Sequence, residues 1–90
     1  MFICRVVGSV VATAKDARFV GSKLLLVQQV ALDGAVHGEP FVATDTVGAG
    51  TGETVLVATG SAARGTEMTR NVPTDATIVG IVDRVDTRRE

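Results

Sequence analysis

Short runs of valine, isoleucine, leucine and threonine alternate along this chain with glycine, proline and Asp-Gly breaks, and that punctuation limits the fold more than any single motif does. A second branch at Cβ stiffens χ1 and packs well on a pleated surface, so such runs fit strands better than helices. Phe2–Thr13, FICRVVGSVVAT, is expected to be a strand with a bend or bulge at Gly8. Leu24–Leu32, LLLVQQVAL, is rich in helix formers. The breaks after it, Asp33-Gly34, His37-Gly38 and Pro40, decide for a strand ending in a turn or short hairpin loop. Pro40–Thr46 reads as a short strand whose leading proline hints at an edge. Thr54–Thr59 is a fourth strand and Ala76–Val85 a fifth.

The connections carry the polar residues. Thr13–Ser22 is a polar link anchored by Phe19 and Val20, and Val47–Glu53, VGAGTGE, is a glycine-rich loop. Ser61 is placed to cap a short helix over Ala62–Met68, and Asn71–Asp75 reads as a turn. The expected fold is all-β: a small five-stranded closed barrel of the oligonucleotide-binding type with one short helix, forming a single domain over residues 1–90. The core must be thin. A chain of 90 residues with three Phe and no Trp or Tyr packs its interior from small aliphatic groups.

Charge and composition remove several function classes. A formal net charge of −1 gives no general attraction to nucleic acid or anionic membranes. Single-strand binding on such a barrel uses stacking aromatics beside basic side chains. Phe2, Phe19 and Phe41 are all the aromatics present, and Arg88-Arg89 is the one adjacent basic pair. No apolar stretch approaches the roughly 20 residues of a membrane helix. Arg5 interrupts the apolar N-terminus, which does not read as a signal peptide, so a cytoplasmic location is expected. The lone Cys4 cannot form an internal disulfide or a paired-thiolate metal clamp, and its apolar surroundings suggest a buried thiol.

Catalytic groups are sparse. The GAGTG of Gly48–Gly52 lacks dinucleotide-fingerprint spacing, and Glu53 stands where a phosphate loop needs lysine. These glycines are expected to serve positive φ or close backbone approach instead. His37, the single histidine, is expected in an exposed turn. Ser61 in TGSAAR lacks the nucleophile-elbow pattern. Asp45, Asp75, Asp83 and Asp86 lie near strand ends, where turn capping and solubility account for them as well as acid–base chemistry does. No catalytic, metal-binding or cofactor-binding residue is assigned.

One constellation is more specific. Asp45–Arg64, DTVGAGTGETVLVATGSAAR, resembles the signature of bacterial microcompartment vertex proteins, the pentameric shell proteins of the ethanolamine-utilisation and carboxysome type. Asp45, Val47–Gly50, Gly52-Glu53, Val55–Val57, Gly60-Ser61 and Ala63-Arg64 fit its pattern. VVGSVVAT over Val6–Thr13, Lys15, Gly21 and Lys23–Val27 in GSKLLLV, Pro73 and Asp75–Asp83 extend the match over about nine-tenths of the chain. Ala62 stands where many members have serine, so no role of that hydroxyl carries over. Gln29 stands where a proline is common.

The resemblance implies a structural protein without catalytic residues or cofactor. It implies a homopentamer that caps the vertices of a shell and meets hexameric shell proteins, with no nucleic-acid or membrane partner. Ring closure would crowd five copies of one loop around the axis. The candidate for that loop is Gly48, Ala49, Gly50, Gly52 and Glu53. The other motif residues are Asp45, Gly60, Ser61, Arg64, Pro73, Asp75 and Asp83.

Overall fold

A computed structural model describes residues 1–13, 15–19 and 21–87. Five strands, β1 (Phe2–Val10), β2 (Lys23–Val30), β3 (Val36–Asp45), β4 (Thr54–Thr59) and β5 (Ala76–Ile81), close a barrel in the order β1-β2-β3-β5-β4. All neighbours are antiparallel except β3 and β5, which run parallel. Alternation along the strands sends Cys4 and Val6, Leu25 and Val27, and Val55 and Val57 inward, where they meet Ala43, Ala49, Ala76 and Ile78. Phe41 packs against this cluster from its margin. The interior is as narrow as small aliphatic side chains require.

Three register irregularities shape the wall. The β1–β2 register shifts between Val6 and Gly8, as expected from Gly8, and leaves Val7 exposed. On β4–β5 a shift inserts Val79 between Ile78 and Gly80. The largest is on β2–β3, where Gln28 alone faces Gly38, Glu39 and Pro40. Gly38 takes φ 75° there, and the Gln28 side-chain amide donates to its carbonyl at 2.7 Å.

This bulge corrects the third strand. It begins at Val36 rather than at Pro40, and His37 is an exposed strand residue, not a turn residue. The proline was a misleading boundary because a bulge tolerates a residue without an N–H. Its hint of an edge holds. The described β3–β5 join has only the pairs Thr44↔Thr77 and Asp45↔Ile78, so Val36–Ala43 pairs with β2 alone. The β2–β3 hairpin closes through Asp33-Gly34. Ala35 N–H donates to Asp33 Oδ1 at 2.9 Å, and Gly34 has φ 87°.

The short helix also differs. It is a 3-10 helix over Gly60–Arg64, with Ser61 inside it and Thr59 as an N-cap that makes no side-chain bond. An α-helix through Met68 would need the Ala63 carbonyl to accept from Glu67. That carbonyl instead takes the hydroxyls of Thr69 at 2.8 Å and Thr77 at 2.6 Å. A second 3-10 turn, Ala17–Phe19, lies in the polar link, where the Asp16 carboxylate accepts the Arg18 N–H at 2.9 Å. β1 and β5 stop short of the expected Thr13 and Val85. The anchoring expected of Val20 and the Arg88-Arg89 pair lie outside the described residues.

Candidate functional site

The sequence-derived residues fall into three groups. The first is the loop between β3 and β4. Asp45, buried at its start, accepts the N–H groups of Val47 at 3.1 Å and Ala49 at 3.0 Å. Lys23 Nζ stands 3.8 Å from Asp45 Oδ2 and donates to the Ala49 carbonyl, which fixes Ala49 in the barrel end. The loop then returns through Gly50, whose N–H donates to Glu53 Oε1 at 2.7 Å. Gly52 N–H donates to the Val6 carbonyl at 2.8 Å, and Val6 N–H donates to the Glu53 carbonyl at 2.9 Å. The loop is thereby stitched to β1 at the β1 bulge.

Gly48 and Gly52 take φ 76° and 92°, a region that L side chains rarely adopt, whereas Gly50 is conformationally ordinary. A methyl group at Gly48 or Gly52 would meet nothing within 4 Å in the chain. Their requirement is for backbone angle, and the space above them is free for another molecule.

The second group is the segment between β4 and β5. Gly60, at φ 64°, donates its N–H to the Asp75 carbonyl at 2.9 Å. Arg64 Nη1 donates to the Thr74 carbonyl at 3.1 Å. Beneath them runs a threonine network. Thr69 and Thr77 share the Ala63 carbonyl, Thr74 donates to the Ala76 carbonyl at 2.8 Å, and Thr44 donates to Thr74 Oγ1 at 3.0 Å. Sequence reasoning missed these threonines because they read as strand or turn formers. Arg64, Pro73 and Asp75 line one concavity, and Ser61 is exposed on the 3-10 helix. The third group is Asp83 alone. It lines a separate cleft with Ile3, Arg5, Val30 and Leu32. The structure does not bring it to the other motif residues.

The barrel wall adds surfaces that carry no sequence motif. One apolar row runs Ile3–Leu56–Gly80 across β1, β4 and β5, and another Gly8–Leu26–Val42 across β1, β2 and β3. The central leucine of each row lies between inward-facing neighbours, Leu56 between Val55 and Val57 and Leu26 between Leu25 and Val27, and so faces outward. In each row a glycine adjoins a leucine, and its Cβ would touch the leucine Cβ at 3.8 Å. Glycine inside a strand weakens it and often marks the close approach of another backbone.

Cys4 lies in the apolar interior, where burial pushes its thiol up to about 11, so it is not a thiolate at neutral pH. Among the described residues no cluster of three His, Cys, Asp or Glu could hold a metal ion, and no helix is long and apolar enough to cross a membrane.

The family model described as "Ethanolamine utilisation protein EutN/carboxysome" matches residues 1–83. The chain is 46% identical over 87 residues to the bacterial microcompartment shell vertex protein PduN of Salmonella typhimurium, covering 92% of this chain and 96% of that one. The structure of CcmL from Nostoc superposes with a TM-score of 0.91 at 44% identity, covering 94% of this chain and 92% of that one. The GrpN pentameric microcompartment shell protein of Rhodospirillum rubrum superposes with a TM-score of 0.86 at 42% identity, covering 99% of this chain and 100% of that one.

Proposed function

The chain belongs to the ethanolamine-utilisation EutN/carboxysome family, and on that premise we propose that five copies close into a ring that caps a vertex of a bacterial microcompartment shell. It is a structural shell protein, not an enzyme. The observation that carries the pentamer is the match to GrpN, which spans both chains from end to end.

The barrel's outer surface supports it. A ring needs two unlike surfaces on every copy, each meeting the other on a neighbour. The rows Ile3–Leu56–Gly80 and Gly8–Leu26–Val42 are two such surfaces, apolar and flattened by glycine. Covering them would add apolar burial to a core built without large side chains. The Gly48–Glu53 loop is the candidate for the crowded axis, where free space above Gly48 and Gly52 admits a neighbouring backbone.

Function then follows from shape. A flat layer of hexagonal tiles cannot close, and a five-fold unit introduces the curvature that closes it. The ring would meet hexameric shell proteins through its outer rim. Electron microscopy of shells assembled with and without this protein, in a host lacking any other vertex protein, tests the reading. The expected result is open or elongated shells without it, with the enclosed enzymes still active in lysates. Closed polyhedra without it would contradict the capping role.

A further inference from the structure

Three arginines from separate parts of the chain converge on the concavity beside the segment between β4 and β5. Arg18 comes from the polar link, Arg64 from the end of the 3-10 helix, and Arg70 from the turn that follows; the segment 71–75 completes the wall around about 520 Å³. Arg18 is already engaged, its Nε and Nη2 each donating to Asp16 at 2.9 Å. Arg64 is held in place by its bond to the Thr74 carbonyl. Among the described residues neither Arg64 nor Arg70 has a carboxylate within ion-pair distance. Asp16 and Asp75 oppose the three guanidinium groups, which leaves positive charge in excess on a chain whose overall balance is negative.

We propose that this pocket receives a carboxylate side chain carried by an adjoining protein of the shell layer. The inference rests on the vertex reading above and goes beyond it by naming the chemistry of one contact. A guanidinium presents a planar fork that matches a carboxylate in bidentate geometry. The choice of a partner-borne acid over a free anion follows from exposure. All three arginines are exposed, and water and salt screen such groups from a small anion in solution. A carboxylate carried on a docked neighbour arrives at high effective concentration, and the docking excludes the screening water. Arg64, Pro73 and Asp75, three motif residues that the ring surfaces leave unused, thereby share one site.

The test uses the double variant Arg18→Gln/Arg70→Gln, which spares the wall bond of Arg64. Native mass spectrometry of the full chain comes first and should show the same assembly as wild type. The variant is then co-expressed with the other shell proteins of its own compartment, and its copies per purified shell are counted by quantitative mass spectrometry. Incorporation should fall by about ten-fold, as expected for losing charge-assisted contacts, with Arg18→Lys/Arg70→Lys in between. Arg84→Gln, whose guanidinium pairs with Asp86 and does not line this pocket, should incorporate normally. Unchanged incorporation of the double glutamine variant would overturn the proposal, and so would loss of its own ring. Saturable binding of inorganic phosphate to the wild-type assembly below about 1 mM would assign the pocket to a free anion instead. A wild-type chain that forms no ring would overturn the vertex reading itself, and this proposal with it.

Discussion

The buried carboxylate of Asp45 accepts the N–H of Ala49 at 3.0 Å, and through that bond the end of β3 sets the course of the glycine-rich loop. The other carboxylate oxygen takes Val47 N–H, and Lys23 ties the Ala49 carbonyl to the same corner. Asp45→Asn keeps one acceptor and turns the other into a donor facing an N–H. It should cost about 1–3 kcal/mol, read from the urea midpoint at fixed protein concentration. A midpoint within error of wild type would show that the loop does not depend on this carboxylate.

The three loop glycines should separate. Gly48→Val and Gly52→Val place a branched side chain at φ 76° and 92° and should each destabilise by about 1–3 kcal/mol. Gly50→Ala has ordinary φ and meets only Glu53 Oε1 at 3.6 Å, so within the barrel it should stay within about 0.5 kcal/mol of wild type, as should Thr87→Ala. Denaturant titration of the four variants checks the order. Equal effects at the three glycines would contradict an origin in backbone angle.

Positive φ at this loop was legible from GAGTG, and so were four of the five strand positions, because runs of β-branched residues between breaks admit few other readings. Pro40 was misread because a bulge and a strand start tolerate proline for the same reason, the missing N–H. The helix was overextended because its limit lies in tertiary contacts. Nothing local shows that Thr77, on β5, will claim the carbonyl of Ala63. The two outer apolar rows were hidden for a related cause. Leu26 and Leu56 sit within runs that look continuously hydrophobic, and only the register shows which leucine faces out.

The threonine network predicts non-additivity. Thr69→Val or Thr77→Val each leaves the Ala63 carbonyl one donor and should cost about 0.5–1.5 kcal/mol. The double variant leaves that carbonyl without either hydroxyl and should cost more than the two singles together. A double-mutant cycle read by thermal or urea unfolding measures the excess. Simple additivity would mean that the two hydroxyls act independently.

Cys4 should resist alkylation in the native state at pH 8 and react fully once the chain is denatured, followed by mass spectrometry. Its folded thiol titrates at about 11, against an ordinary value of 9.0. Between those values the unfolded chain releases a proton that the folded chain keeps. This contribution to stability is therefore complete below pH 9 and is lost as pH rises toward 11. Fast labelling of the native protein at pH 8 would contradict the burial of this thiol.

The outer rows should be separable from the fold. Leu26→Lys and Leu56→Lys change side chains that face away from the core, and a lysine stem can lie along the wall while its ammonium reaches water. Each should leave the far-UV circular dichroism of the barrel intact while abolishing assembly. Retention of the wild-type native mass in both variants would remove these rows from the ring interface.

Native mass spectrometry of the wild-type chain at micromolar concentration tests the ring most directly. Five copies of 9.3 kDa should give one dominant species of about 47 kDa that persists on dilution. A stable 9.3 kDa monomer, or a hexamer, would contradict the pentameric vertex account.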